Sequence, residues 1–326
     1  MAATNPGRVS LIAWWSLDEE SGNAIDAWGA NDLTDTNTVL FATGKVSNAR
    51  DFELANVEYF TLADNTDLST GDIDFTFGCW VNMESQAADM QIMAKWTTGG
   101  NQREYRILYQ QSTNRLRVAV SADGIAASGS LNADTFGAVA TGTWYFVVAW
   151  HDSVNNLLGI SVNGTSDTTA YTTGVFNGTS VFDIGAFGAG TQPFDGLIDE
   201  AFLYKKVLTA DQREWLYNSG NGRAQSELAE LQTMAGAVTP AGTLVNKTLK
   251  VLSGALTSAG VVVAKALKAL AGAITPSGVV SALFLLFMRF FAQPDDWTFA
   301  AKQDEGWAYD ALPENWAFKV KDDTNG

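Results

Sequence analysis

One His, His151, and one Cys, Cys79, bound the chemistry open to this chain of 326 residues. A disulfide within one chain is impossible, and so is a zinc site built from Cys and His. Nucleophilic catalysis through a histidine base could rest only on His151. That residue is followed by Asp152 at the end of an apolar run, and no Ser in a nucleophile-elbow context accompanies it. The expectation is a solvated histidine at a strand end. Any metal must sit on oxygen ligands, which means calcium or magnesium. The remaining chemistry lies in aromatic side chains, since a pyranose face packs on an indole or phenol ring. Trp28, Trp96 and Tyr109 are the candidates for such a platform.

The elements that position these residues are legible as strands. Phe75, Phe77, Cys79 and Val81 alternate with Thr76, Gly78 and Trp80. Trp144, Phe146, Val148 and Trp150 alternate with Tyr145, Val147, Ala149 and His151. Leu116, Val118 and Val120 alternate with Arg115, Arg117 and Ala119, and Tyr105, Ile107 and Tyr109 keep the same period. Turn clusters such as Thr97-Thr98-Gly99-Gly100-Asn101 and Asn163-Gly164 separate the runs. Many short strands without a long intervening helix predict a mainly β, antiparallel two-sheet sandwich. One short helix is expected after Thr209, where Thr-Ala-Asp-Gln supplies a capping box.

Charge divides the chain. Lys and Arg number 20 against 36 Asp and Glu, a net charge of −16. That charge repels a phosphate backbone and excludes nucleic acid as a partner. Residues 1–224 hold 12 bases and 26 acids, a net of −14, and residues 225–326 hold 8 and 10, a net of −2. Leu231 to Ala292 has no acid at all. The expected domains are 1–222, the sandwich; 223–292, a repeat region; and 293–326, a C-terminal segment. The opening Met1–Arg8 lacks an apolar signal core, so synthesis in a cytoplasm is expected. The apolar stretch Ala269–Met288 is broken by Gly272, Pro276 and Gly278, which fits burial in protein better than a membrane span.

Several segments of the first part, in one order, resemble a laminin-G-like, concanavalin A-like jelly-roll domain over residues 8–222. They are Trp14-Trp15-Ser16-Leu17-Asp18-Glu19, Asn48-Ala49-Arg50-Asp51-Phe52, Phe75–Val81, Thr143–Trp150 and Gly196-Leu197-Ile198-Asp199-Glu200-Ala201-Phe202-Leu203-Tyr204. The resemblance implies a fold that serves lectins, adhesins, virion proteins and glycosidases alike. It also implies an oxygen ligand for calcium at Asp199, with Asp26, Asn31 and Asp32 contributed by an early loop that packs near the closing strand. The competing reading is that Asp26 and Asn31 hold turns by bonding backbone. Glycosidases on this fold use a Glu-x-Asp-x-x-Glu strand. The chain has none, and alternation puts Asp199 and Glu200 on opposite faces. The expectation is therefore a non-enzymatic domain.

The second part repeats every 18 residues. Gly236, Gly254 and Gly272 keep this interval, as do Thr239, Thr257 and Thr275, and Leu249, Leu267 and Leu285. Thr-Pro openings and Gly endings predict three short helices, about 240–252, 258–270 and 276–291, with a β-fibrous repeat as the alternative. One copy cannot bury its own apolar side. Leu249, Leu267, Leu283, Leu286 and Phe287, with Trp297, Trp307 and Trp316 of a Trp-x-aromatic repeat, are the expected assembly residues. The order of sandwich, repeats and Trp-rich segment resembles repeat regions of tailed-phage structural proteins. The function expected is a virion surface protein, a capsid decoration or fibre-like protein made in the cytoplasm. It would form a homo-oligomer, for example a trimer, contact other virion proteins through its C-terminal third and attach to surface glycans. The alternatives are a bacterial cell-surface carbohydrate-binding adhesin and, third, a glycoside hydrolase.

Overall fold

A computed structural model of the chain describes residues 3–188 and 190–228, and beyond them the backbone of short strands between Thr233 and Val320. The chain divides into two compact units, Met1–Glu230 and Leu231–Gly326. In the first, the strands are β1 (Leu11–Trp15), β2 (Thr34–Thr36), β3 (Leu40–Thr43), β4 (Asn48–Phe52), β5 (Tyr59–Leu62), β6 (Phe75–Met83), β7 (Met90–Thr97) and β8 (Gln102–Gln110). They continue as β9 (Arg115–Val120), β10 (Gly129–Asn132), β11 (Trp144–Asp152), β12 (Leu157–Val162), β13 (Thr165–Ala170), β14 (Phe182–Ile184) and β15 (Gly196–Tyr204), before helix α1 (Ala210–Tyr217).

These strands form two antiparallel sheets. One runs β13-β12-β11-β6-β15-β4-β3, with β1 also paired to β15; the other runs β10-β9-β8-β7-β14-β5-β2. The core between them takes the inward residues of each strand: Phe75, Phe77, Cys79 and Val81 from β6, Val147 and Ala149 from β11, Tyr105 and Ile107 from β8, Leu116 and Val118 from β9. Period-2 alternation therefore sets the faces as the sequence predicts. The outer face of the first sheet is apolar as well. Trp14, Trp80, Phe146, Phe202 and Tyr204 form a second cluster, which Leu208, Leu216 of α1 and Leu228 cover. Thr209 caps α1 as expected: its hydroxyl accepts from the Gln212 amide, and the Gln212 side chain accepts from the Thr209 amide. Leu228 packs here and the Asn5 side chain donates to the Glu227 carbonyl, so residues 223–228 lie with the sandwich unit.

His151 is not a solvated strand end. It is 1% exposed, between the Phe75 and Tyr171 rings, with Nδ1 3.1 Å from the Ile73 carbonyl and Nε2 3.8 Å from Asp72. The loops over the end of β11 close on it, which strand alternation alone does not reveal.

In the second unit the strands between Thr233 and Ala282 are parallel and stacked at the repeat interval. Thr233–Ala235, Leu249–Ser253 and Leu267–Ala271 form one sheet, and Thr243–Asn246, Val261–Ala264 and Val279–Ala282 another. Leu249 pairs with Leu267, and Val261 with Val279. Backbone strands Thr243–Asn246, Leu249–Ser253, Val261–Ala264 and Leu267–Ala271 fall within or beside the ranges 240–252 and 258–270, where helices are expected with a fibrous repeat as the alternative. The β-branched run Val261-Val262-Val263 is stiff at χ1 and favours a strand, while stacked copies satisfy each other's backbone groups. Within the third expected helix, 276–291, Val279–Ala282 is also a strand; Leu283, Leu286 and Phe287 lie outside the described residues. Trp307–Ala308 pairs antiparallel with Lys319–Val320, and Trp297 and Trp316 lie outside the described residues.

Candidate functional site

The sequence-predicted ligands separate into two places. Asp26 is buried in the early loop with both oxygens engaged. Oδ1 accepts from the Trp14 and Trp28 amides, each at 3.0 Å; Oδ2 accepts from the Asn31 amide and the Asn31 side chain, each at 3.1 Å. The Asp26 amide in turn donates to Asp32 Oδ1 at 2.8 Å, and Asn31 Oδ1 accepts from Asn65. Four donors aimed at one carboxylate leave no open face for a cation. A Cβ on Gly29 would lie 2.6 Å from Asp26 Oδ2, so the loop closes on the acid as tightly as glycine permits. Asp26, Asn31 and Asp32 hold the turn, and they do not converge with Asp199: among the described residues, none of the acids in that set belongs to a cluster of three metal-capable side chains.

Asp199 lies elsewhere, on β15. Its Oδ2 accepts from the Lys45 and Val46 amides at 2.7 and 2.8 Å, whereas its Oδ1 is buried with no partner. Beside it, Glu200 Oε2 accepts from the Trp14 indole, and Oε1 is likewise buried and unpaired. The expectation of opposite faces fails because β15 is irregular between Asp199 and Phe202, with Glu200 in the left-handed region at φ 48°. The extra residue turns Glu200 toward Trp14 of the outer cluster, the same side on which Asp199 faces Trp80 and its lysine loop. Asp199 is 0% and Glu200 2% exposed. Burial pushes Asp199 up to about 8, and the charge of Asp18 adds to this, against the pull of the Val46 and Lys45 amides. Burial and then the Asp199 charge push Glu200 up to about 9.

Asp18 lies near enough for its charge to act on both acids. Asp18 Oδ1 accepts from the Asn48 amide at 2.9 Å, and the Asp18 carbonyl accepts from the Asn48 side chain. At Gly44 a Cβ would collide with the Asn48 carbonyl and lie 2.8 Å from Asp199 Oδ2, so only glycine lets this loop approach the acids. Arg50, fully buried, fixes the neighbouring loop by donating to the carbonyls of Glu19, Gly22 and Val39. The unpartnered oxygens, Asp199 Oδ1 and Glu200 Oε1, are the donor type a hard cation takes, while the Lys45–Val46 loop turns amide N–H groups to the other Asp199 oxygen. The Asp-Glu order in β15 was visible in the sequence; the shared side of the two acids was not.

A third acid group was not foreseen. Asp51, Glu53 and Glu84 hold carboxylate oxygens within 4.8 Å of one another. Burial, then the charges of Glu84, Glu58 and Asp195, raise Asp51 above its usual range.

Of the three aromatic candidates, one is accessible. Trp28 is 41% exposed, its indole donating to the Leu11 carbonyl while the Arg8 guanidinium sits 5.3 Å from the ring centroid. Trp96 and Tyr109 are each 2% exposed. Trp96 lies beneath the Arg106 guanidinium at 4.3 Å, beside Phe187, and Tyr109 is part of the inter-sheet core. Neither offers a face to a sugar. Alternation places Tyr109 inward, and the loop that carries Phe187 covers Trp96.

Comparison with known proteins agrees with this architecture. No curated protein matches the chain. Among solved structures, the binding domain of Paraclostridial Mosquitocidal Protein 1 is similar at 13% identity and a TM-score of 0.53, covering 65% of this chain and 52% of that one. The binding domain of botulinum neurotoxin serotype G is similar at 13% identity and a TM-score of 0.50, covering 64% and 50%. Domain 4 of AbnA, a GH43 extracellular arabinanase from Geobacillus stearothermophilus solved with arabinotriose, is 21% identical with a TM-score of 0.49, covering 66% and 98%. Residues 54–212, within the sandwich, match the family model described as the concanavalin A-like lectin/glucanases superfamily.

Proposed function

We propose that the sandwich is a carbohydrate-binding, non-hydrolytic domain that holds calcium at Asp199 and Glu200 and presents Trp28 to a glycan. The observation that carries the binding reading is the exposed Trp28 indole on a lectin-like fold. The closest pair of carboxylates on β15 is buried, where no glycosidic bond reaches it, and this supports binding over hydrolysis. When bound, calcium would supply charge to replace the protons on the two acids, and the Lys45–Asn48 loop would be held by the same centre. We further infer, from the acid-free repeat at residues 231–292, that the C-terminal third assembles the chain and anchors it, with display on a virion as the first setting and a bacterial surface as the second. A glycan array probed with the full chain tests the binding reading. The expected result is a defined set of glycans lost on Trp28→Ala, with an unchanged melting temperature. An array without any bound glycan, in calcium and in chelator, would overturn it.

A further inference from the structure

Under the loops at one end of the second sheet lies a charged group that binding does not use. Lys95 of β7 and Glu104 of β8 are both completely buried. Lys95 Nζ lies 2.5 Å from Glu104 Oε1 and 2.7 Å from Asp64 Oδ1, and donates a longer bond of 3.3 Å to the Gly178 carbonyl. Lys95 is the cross-strand partner of Tyr105, and Trp96 that of Arg103, so Glu104 is the extra residue of a bulge. Such an irregularity re-aims a side chain, and here it turns Glu104 toward the ammonium. Tyr105, packed on Phe75 and Phe77, separates the group from the core below. Glu104 Oε1 also accepts from the Gly178 amide, and Ser69 Oγ donates to Asp64 Oδ1. Only Asp64 reaches the surface, its side chain being 31% exposed.

We propose that Lys95 and Asp64 condense into an intramolecular isopeptide bond, with Glu104 carrying the proton. Two carboxylates sharing one buried ammonium form an expensive ion group, and an amide removes two of its charges. The Oδ1 contact puts the Asp64 carboxyl carbon about 3.5 Å from Nζ, within the range of near-attack geometry, where fixed neighbours gain a very high effective concentration. Burial pushes Glu104 up to about 7 in spite of Lys95 beside it, which suits a group that must take a proton and give it back. The reaction is redox-neutral. Nζ attacks Cγ of Asp64, the Nζ–Cγ bond forms and one Cγ–O bond breaks. The two protons that the ammonium loses leave with that oxygen as one water molecule, through the exposed side of Asp64. Glu104 ends as it began. The product joins the loop after β5 covalently to β7, on the sheet opposite Asp199.

The mass of the denatured full chain tests this directly. The expected value, after allowing for Met1, is that of the sequence less one water. Trypsin should then fail to cut after Lys95, giving the peptide 51–103 one water light. Cyanogen bromide cuts at Met83, Met90 and Met93, all between Asp64 and Lys95, and the flanking fragments should stay joined. Glu104→Gln and Asp64→Ala should restore the full mass and let the fragments part, while Asp64→Asn should lose ammonia in place of water. Wild-type chain at its full sequence mass would overturn the proposal without reference to any variant. So would a water loss with fragments that separate, or a link that retains the tryptic peptide Glu104–Arg106.

Discussion

Asp199 and Glu200 carry the sharpest consequence of a single backbone irregularity. In the unfolded chain both lose their protons near pH 4. In the native state they keep them to about 8 and about 9. Between these limits the native state alone binds the protons, so its stability falls as pH rises. Each such proton is worth at most about 1.4 kcal/mol per pH unit, or roughly 3 °C in a domain of this size. In chelator, the melting temperature should therefore drop between about pH 5 and about pH 9. Calcium at about pH 8 should raise it and flatten the profile, because binding to the native state alone stabilises by mass action. Asp199→Ala should abolish the calcium shift. Identical melting curves in calcium and chelator across this range would remove the cation from the site. Asp26→Ala provides the contrast: it strips four donors of their acceptor and should cost about 3 kcal/mol equally in calcium and in chelator. A calcium-dependent loss at Asp26 would instead make the early loop part of the metal site.

At the scale of elements, α1 is a lid on the outer face of the first sheet. Leu216 is buried there, and Tyr217 stacks on Trp80 and Phe146. Thr209→Ala removes one half of the capping box and should lower stability by about 1 kcal/mol, read as a fall of about 3 °C in melting temperature. A larger loss, with new exposed apolar surface, would mean that the cap holds the helix on the sheet as well as starting it. The helix was legible because its signal is local: Thr209, Gln212 and the apolar Trp215-Leu216 lie within two turns. The repeat was legible as a repeat and not as a conformation. Thr and Pro at one end and Gly at the other suit a helix, yet an interval of 18 residues also lets each Val or Leu stack on its own copy. The parallel registers Leu249 to Leu267 and Val261 to Val279 have that interval.

For the whole molecule, the division at Glu230 and the covering of the outer cluster by Leu228 predict that a chain ending at residue 230 folds alone. Size-exclusion chromatography with light scattering should find it monomeric, its β-rich circular dichroism intact, while the full chain assembles. The repeat alternates runs of Val and Leu that one coil cannot bury by itself. A truncated chain that remains oligomeric would move the assembly surface into the sandwich. A truncated chain that aggregates would make the second unit part of the sandwich's own stability.

Alternation along Phe75–Val81, Leu116–Val120 and Tyr145–Ala149 was enough to predict two sheets with a shared core, because a half-buried strand must keep one face apolar whatever its partners. The capping box, the charge boundary and the 18-residue interval are likewise properties of neighbours in sequence. What alternation cannot carry is a bulge. One extra residue in β15 brought Asp199 and Glu200 to the same side, and one in β8 turned Glu104 onto Lys95. Nor can it say which loop closes over a given ring, which is why Trp96 and His151 are buried and Trp28 is exposed. Register and loop packing depend on contacts between residues far apart in the chain, among them Asp199 with Lys45 and Lys95 with Asp64. Those contacts exist only once both sheets are assembled, so the pattern of faces belongs to the sequence and the chemistry of the two acid sites to the tertiary structure.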